Sequence, residues 1–127
     1  MKITKHFSRQ EFDCRDGTKY PEEWIDSRLK PLCEALEELR EILGNVPITI
    51  SSGYRTPSHN RKVGGVKNSQ HVHGRAADIM CKKESTEAIG SLLKTLMDDG
   101  IIPKGGVGIY KTFVHYDIRG RKALWRG

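Results

Sequence analysis

The stretch Ser69–Asp78 reads SQHVHGRAAD and joins a polar turn to a short apolar run, Ala76–Met80. Gly74 and the small residues after it allow the backbone to turn sharply and to pack closely against a neighbouring segment. Asp78 lies inside the apolar run, where a lone carboxylate is costly to bury unless a metal or a hydrogen bond satisfies it. The stretch therefore predicts a turn and a buried strand that presents His71 and Asp78 to a polar or metallic partner.

A third candidate ligand, His115, lies in the middle of the predicted strand Phe113–Ile118. Two imidazoles and one carboxylate are the usual ligand set of a catalytic zinc that keeps a fourth position open for water. The same set also suits other divalent ions. We therefore take His71, Asp78 and His115 as candidate metal ligands.

The rest of the chain predicts helices around a small sheet. Ser8 and Glu11 have the spacing of a capping box, which predicts a short helix from Arg9. Leucines three and four residues apart predict a long helix over Asp26–Leu43, with Pro31 tolerated only near its first turn. A second long helix is predicted from a cap at Ser85 or Thr86 to about Asp98. Four segments are β-prone, and they are Pro47–Ser51, Ala76–Met80, Val107–Tyr110 and Phe113–Ile118.

Between the first two of these strands, Ser52–Ser69 is rich in Gly, Ser, Asn and basic residues, which predicts a long irregular connection. The order of elements predicts an α+β fold with a small, largely antiparallel sheet flanked by helices. A length of 127 residues predicts one domain over residues 1–127.

The amino-acid composition limits the classes of binding partner that the chain can have. The net charge of +6 suits an anionic partner such as nucleic acid or the anionic polymers of a bacterial wall, although a solvated basic face explains it equally simply. No nucleic-acid-binding signature accompanies the charge, so no specific nucleic-acid partner is expected. The chain has no long apolar run and no signal-peptide core in Met1–Arg15, so we expect cytoplasmic synthesis and no membrane partner. Nothing in the sequence indicates an oligomeric state.

The three cysteines are Cys14, Cys33 and Cys81. Their spacing matches no zinc-ribbon or redox pattern, which predicts reduced thiols, with a single disulfide left open as the alternative.

Several motifs together resemble one family. Ser69–Asp78 fits the pattern S-x-H-x-x-G-x-A-x-D, Ser52–Thr56 reads SGYRT, and two glycine- and histidine-bearing segments near the C-terminus complete the match, Gly106–Tyr110 and Phe113–Asp117. This combination resembles the zinc D-alanyl-D-alanine carboxypeptidase family, a group that also contains dipeptidases, phage endolysin peptidases and the hedgehog signalling domain. The resemblance spans nearly the whole chain.

The resemblance implies a hedgehog/DD-peptidase-like fold and a single zinc held by His71, Asp78 and His115. It implies that Arg55 stabilises the developing oxyanion and that Ser69 contacts substrate. Without the resemblance, Arg55 reads as a loop arginine that pairs with a surface carboxylate, and Ser69 as a turn serine. The implied substrate is a peptidoglycan stem peptide that contains D-alanine.

The sequence departs from the family's pattern at the general base. Relatives place a carboxylate three residues before the last zinc histidine or a histidine two residues before it, and here these positions are Thr112 and Phe113. Asp117 is the nearest substitute because it lies on the same strand face as His115. It is either the base or a residue that orients His115.

Two functions therefore stay open. The first is a zinc peptidase of the bacterial wall, with a phage or prophage lysis enzyme as the natural setting and action at the wall after lysis or phage delivery. The second is a non-catalytic zinc-containing module that binds a wall peptide or a protein partner.

Overall fold

The computed structural model describes residues 1–127, and the leucine-rich segment forms its longest helical region. A π-helical turn, Ile25–Leu29, leads into the α-helix α1, Lys30–Ile42. Pro31 lies at the start of α1, directly after the π-helical turn, and Leu29 before it is already in a helical conformation. The predicted helix over Asp26–Leu43 is therefore confirmed as a π-helical turn followed by an α-helix that ends at Ile42.

Three shorter helical segments and a second long helix complete the helical part. The predicted capping box forms, since the Ser8 N–H donates to Glu11 Oε2 at 2.7 Å. The Ser85 hydroxyl oxygen accepts from the Ala88 N–H and caps the second long helix, as predicted. The short 3₁₀ segments are Arg9–Phe12 and Glu22–Trp24, and the further α-helices are α2, Pro57–Lys62, and α3, Thr86–Asp98.

Helix α2 corrects the prediction that Ser52–Ser69 is irregular throughout. The Thr56 hydroxyl accepts a hydrogen bond from the His59 N–H, and Pro57 occupies the first helical position. Both are standard signals of a helix start. They were obscured by the polar composition of the segment.

Five strands form one sheet, and they are β1, Thr49–Ser52, β2, Ala76–Met80, β3, Gly106–Ile109, β4, Val114–Asp117, and β5, Ala123–Arg126. Their order in the sheet is β1-β2-β4-β3-β5. All neighbours are antiparallel except β3 and β5, which are parallel. The predicted α+β fold with a largely antiparallel sheet is confirmed, and β5 is an additional strand.

The two faces of the sheet have opposite chemistry, because side chains alternate along each strand. Ala77 and Ile79 of β2 and Val114 and Tyr116 of β4 join the hydrophobic core with the buried residues of α1 and α3. The other face carries Asp78 directly opposite His115. The register of β2 against β4 thus places two candidate ligands side by side.

None of the helices combines the length and apolarity needed to cross a membrane.

Candidate metal centre

Three predicted ligands converge on one point. Asp78 Oδ1 lies 3.1 Å from His71 Nε2 and 3.2 Å from His115 Nδ1. A tetrahedral zinc with its usual bond lengths separates its ligand atoms by about 3.3–3.5 Å. All three residues are buried. The spacing therefore fits one small cation held by two nitrogens and one oxygen.

The hydrogen bonds behind the two imidazoles decide which nitrogens face that point. His71 Nδ1 lies 2.7 Å from the Gly53 carbonyl oxygen, which can only accept, so Nδ1 carries the proton. His115 Nε2 lies 2.6 Å from Asp117 Oδ2, so it donates to that carboxylate. Neutral rings in these tautomers aim both remaining lone pairs at Asp78 Oδ1. Three electron pairs in such close contact repel one another unless a proton or a metal cation lies between them, and a divalent cation satisfies all three at once.

Asp117 is the most heavily hydrogen-bonded carboxylate of the site. Besides His115 it accepts from the Gly106 N–H at 2.9 Å and from Arg119, whose Nη2 lies 2.8 Å from Oδ2. Its exposed fraction is 0%. With all its acceptor positions engaged and no access to solvent, Asp117 is placed to fix the orientation of the His115 ring.

The pKa values of the two carboxyls follow from these contacts. Burial would raise the pKa of Asp78, but without a metal a protonated His115 or His71 donates to the carboxylate, and these contacts outweigh burial and hold that pKa well below its usual range. Burial likewise opposes the ionisation of Asp117, but His115 and then Arg119 hold its pKa well below the usual range. Both groups are therefore carboxylates at neutral pH, as a metal ligand and an acceptor from imidazole must be.

Arg55 lies beside the centre and is held from three sides. Its guanidinium donates to Ser52 Oγ at 3.3 Å, to Asn60 Oδ1 at 3.2 Å and to the second oxygen of Asp78 at 3.4 Å. The carboxylate it meets is the candidate metal ligand, so the reading of Arg55 as a loop arginine that pairs with a surface group is wrong. The sequence did not predict that Asn60 belongs to the site. Asn60 lies on α2, five residues after Arg55, and this short separation allows the contact.

Ser69 occupies the turn that leads to the first ligand. Its hydroxyl oxygen accepts from the His71 N–H at 3.2 Å, and Ser69 also lines the cavity in front of the candidate ligands. Both readings of Ser69 are therefore compatible with its place. Gly74 ends this turn with φ +67°, a backbone conformation that favours glycine. A Cβ at this position would also collide with Tyr20, so both the backbone conformation and the packing require a glycine.

An open cavity of about 460 Å³ lies in front of the three ligands. Arg55 and Arg119 give its wall positive charge, and the stacked rings of Tyr110 and Phe113 add an apolar surface. Asp78 is the only carboxylate that lines it. Thr112, where relatives keep a base, is exposed and does not line the cavity, whereas Phe113 does.

The unpredicted strand β5 contributes Trp125 to the same cavity. Gly108 separates His115 from Trp125 across the sheet, and without a side chain at Gly108 the indole approaches the imidazole to 5.1 Å between ring centroids. The Trp125 indole N–H donates to the Tyr110 hydroxyl at 2.9 Å. The sequence shows Trp125 only within a basic C-terminal segment, so no local pattern predicts this role.

The other histidines lie apart from the centre. His73 does not line the cavity, and its backbone carbonyl accepts from Arg28 at 2.9 Å. His6 pairs with Glu37 at 2.7 Å near the N-terminus.

All three cysteines are free and buried, so the prediction of reduced thiols is confirmed.

Comparisons with known proteins find relatives of this chain. A family model described as peptidase M15 matches residues 5–117. The chain is also similar to the zinc D-Ala-D-Ala carboxypeptidase of Streptomyces albus G, with 43% identity over 44 residues. That stretch covers 35% of this chain and 17% of the relative's length.

Proposed function

The chain belongs to the peptidase M15 family, and on that premise we propose that it is a zinc-dependent peptidase of bacterial peptidoglycan stem peptides. The bond it hydrolyses lies next to D-alanine. The observation that carries this proposal is the convergence of His71 Nε2, Asp78 Oδ1 and His115 Nδ1 at the wall of an open cavity. A ligand set of this kind with solvent access is typical of catalytic zinc, whereas structural zinc has four protein ligands.

Zinc held by His71, Asp78 and His115 would supply the Lewis acidity that polarises a peptide carbonyl and acidifies water. The protein's own task is to keep the donors in the binding tautomers. Gly53 does so for His71 through its carbonyl oxygen, and Asp117 does so for His115. Partners of this kind orient metal-binding imidazoles and increase their basicity.

Arg55 is the residue we assign to the charge that develops on the carbonyl oxygen during hydrolysis. Its contacts with Ser52 and Asn60 hold the guanidinium in place before substrate arrives, so little reorganisation accompanies the reaction. Its long contact with Asp78, at 3.4 Å, leaves the guanidinium free to donate to a stronger acceptor.

Two further features support a peptide substrate with an anionic end. Arg55 and Arg119 line the cavity and favour a carboxylate, which stem peptides carry. Gln70 Oε1 is buried at the cavity wall without a hydrogen-bond partner. An unpaired buried acceptor is costly, and a rotation of the Gln70 amide toward the cavity would let the N–H of a bound peptide satisfy it. The name of the Streptomyces albus G relative, a zinc D-Ala-D-Ala carboxypeptidase, also specifies a D-Ala-D-Ala substrate for that protein.

We place this activity at the bacterial wall, reached after lysis or phage delivery. A phage or prophage lysis enzyme is the setting we propose for a wall-directed peptidase of this family.

A second candidate function is a zinc-containing module that binds a wall peptide or a protein partner without cutting it. The lining of the cavity favours it in one respect, because Asp78, a candidate ligand itself, is the only carboxylate there. No free carboxylate is thus available to take a proton from water.

Hydrolysis of purified peptidoglycan fragments separates the two functions. We expect zinc-loaded protein to release D-alanine from stem pentapeptides, or to cut cross-linked fragments at D-alanine, with the products identified by mass spectrometry. Removal of zinc by a chelator should stop the reaction and readdition should restore it. Full zinc occupancy without hydrolysis of any fragment would establish the binding module instead.

Arg55→Ala serves in the same assay as the test of the oxyanion role. We expect unchanged zinc content and a turnover lower by about 10²-fold, the usual scale for the loss of one oxyanion donor. Arg61→Ala is the matched control, since Arg61 is an exposed arginine on α2 outside the cavity. Equal activity of Arg55→Ala and the wild type would remove Arg55 from the reaction.

A further inference from the structure

A second group of metal-ligating side chains lies where the loop after Phe12 meets the start of α2. Cys14, Asp16 and His59 each offer one ligand atom, and these atoms all lie within 4.8 Å of one another. The zinc centre described above uses none of these residues. The cluster brings together two segments more than forty positions apart in sequence.

One hydroxyl group organises the cluster. Thr56 Oγ1 donates to Asp16 Oδ2 at 2.8 Å and lies 4.0 Å from Cys14 Sγ. The same oxygen accepts from the His59 N–H at 3.2 Å as the cap of α2. Thr56 therefore holds the Asp16 side chain, and it brings the backbone of His59 and the thiol of Cys14 close to it.

The loop itself is built to turn back toward α2. The Cys14 N–H donates to the Thr18 carbonyl at 2.8 Å, and Gly17, with φ +97°, makes the turn possible. The Thr18 N–H donates to Asp16 Oδ1 at 2.8 Å. This backbone hydrogen bond, followed by those of the Thr18 and Thr56 hydroxyls, holds the pKa of Asp16 well below its usual range, so the carboxylate is charged at neutral pH.

The donor set has a clear chemical preference. A thiolate, an imidazole and a carboxylate together suit a borderline-soft divalent cation such as zinc. Cys14 is only 3% exposed, whereas Asp16 is exposed and His59 is partly so. A cation can thus enter from the solvent side and keep a water as its fourth ligand.

We propose that Cys14, Asp16 and His59 form a second binding site for a zinc-class divalent cation. The site fastens the Cys14–Tyr20 loop to the N-terminus of α2, immediately after Arg55, by a bond stronger than the Thr56 hydrogen bond. It does not depend on the proposed peptidase activity, and its role is to stabilise this corner of the fold.

Cobalt titration of the metal-free protein distinguishes the two sites, because only the second contains sulfur. We expect two cobalt ions per chain and a near-ultraviolet charge-transfer band of a cobalt–thiolate bond. Cys14→Ser should abolish the band and one equivalent of cobalt. His71→Ala should lose the other equivalent and keep the band. Cys33→Ser is the matched control and should leave both unchanged, since Cys33 is fully buried among core residues elsewhere.

Two milder variants guard against misfolding of Cys14→Ser. His59→Ala and Asp16→Ala change side chains with solvent exposure, and each should weaken the band at a fixed cobalt concentration. Zinc should also raise the melting temperature of His71→Ala and leave that of His71→Ala combined with His59→Ala unchanged. A titration that ends at one cobalt per chain without a thiolate band, or a band that survives Cys14→Ser, would overturn the proposal.

Discussion

Asp78→Ala is expected to remove the zinc ion of the catalytic centre and to reduce peptide hydrolysis to background. The reason is geometric, since Asp78 Oδ1 is the atom on which both imidazole lone pairs converge, at 3.1 and 3.2 Å. Loss of a partner that only supports a ligand costs about 10–100-fold in metal affinity, and loss of the ligand itself should exceed that range. Metal analysis after dialysis against a weak chelator measures the effect.

Two companion variants complete this test. His71→Ala should have the same effect as Asp78→Ala, because it removes a neighbouring donor of the same set. Asp99→Ala should keep the zinc, since Asp99 is an exposed carboxylate at the end of α3. Undiminished zinc in Asp78→Ala would mean that the cation, if bound at all, is held elsewhere.

Asp117→Asn is expected to weaken zinc affinity by about 10–100-fold, as the loss of an orienting partner does. The same change should lower the free energy of unfolding by about 3 kcal/mol, because it leaves Arg119 without its buried counter-ion. The Arg119 side chain is partly exposed to solvent, so the expected loss of stability lies at the lower end of the range for buried ion pairs. Competition with a chromophoric chelator and urea unfolding measure the two effects.

The alternative role of Asp117 makes a different prediction for the same variant. A general base would leave zinc affinity unchanged while turnover falls by about 10²–10⁴-fold. We expect the first pattern, because Asp117 is fully buried and already accepts from His115, Gly106 and Arg119. Asp98→Asn is a suitable control, since Asp98 is an exposed carboxylate that pairs with lysines far from the cavity.

The parts of the fold that follow from local pattern could be predicted from the sequence. The leucine spacing specifies α1, the Ser85 cap specifies the start of α3, and the apolar run with a small-residue turn before it specifies β2. The candidate ligands follow from residue types that suit zinc, together with the resemblance of Ser69–Asp78 and of the strand that carries His115 to a known family pattern. Their side-by-side placement required the register of β2 against β4, which sequence spacing does not contain.

What could not be predicted depends on contacts between distant segments. Strand β5 has only four residues and pairs in parallel with β3, so its existence depends on a neighbour that the local sequence does not reveal. The hydrogen bonds of Arg119 to Asp117 join residues close in sequence. Their contribution to stability depends on the burial of Asp117, and only the assembled sheet creates that burial. The capping signal of Thr56 and Pro57 was present in the sequence and was outweighed by its polar surroundings.

The position of the metal itself tests the central claim most directly. Diffraction from crystals of the zinc-loaded protein, recorded on both sides of the zinc absorption edge, locates the ion without reference to its expected ligands. We predict an anomalous peak within about 2.0–2.2 Å of His71 Nε2, Asp78 Oδ1 and His115 Nδ1. The absence of a peak among these three atoms in fully loaded protein, or a peak bonded to His115 through Nε2 in place of Nδ1, would contradict the account.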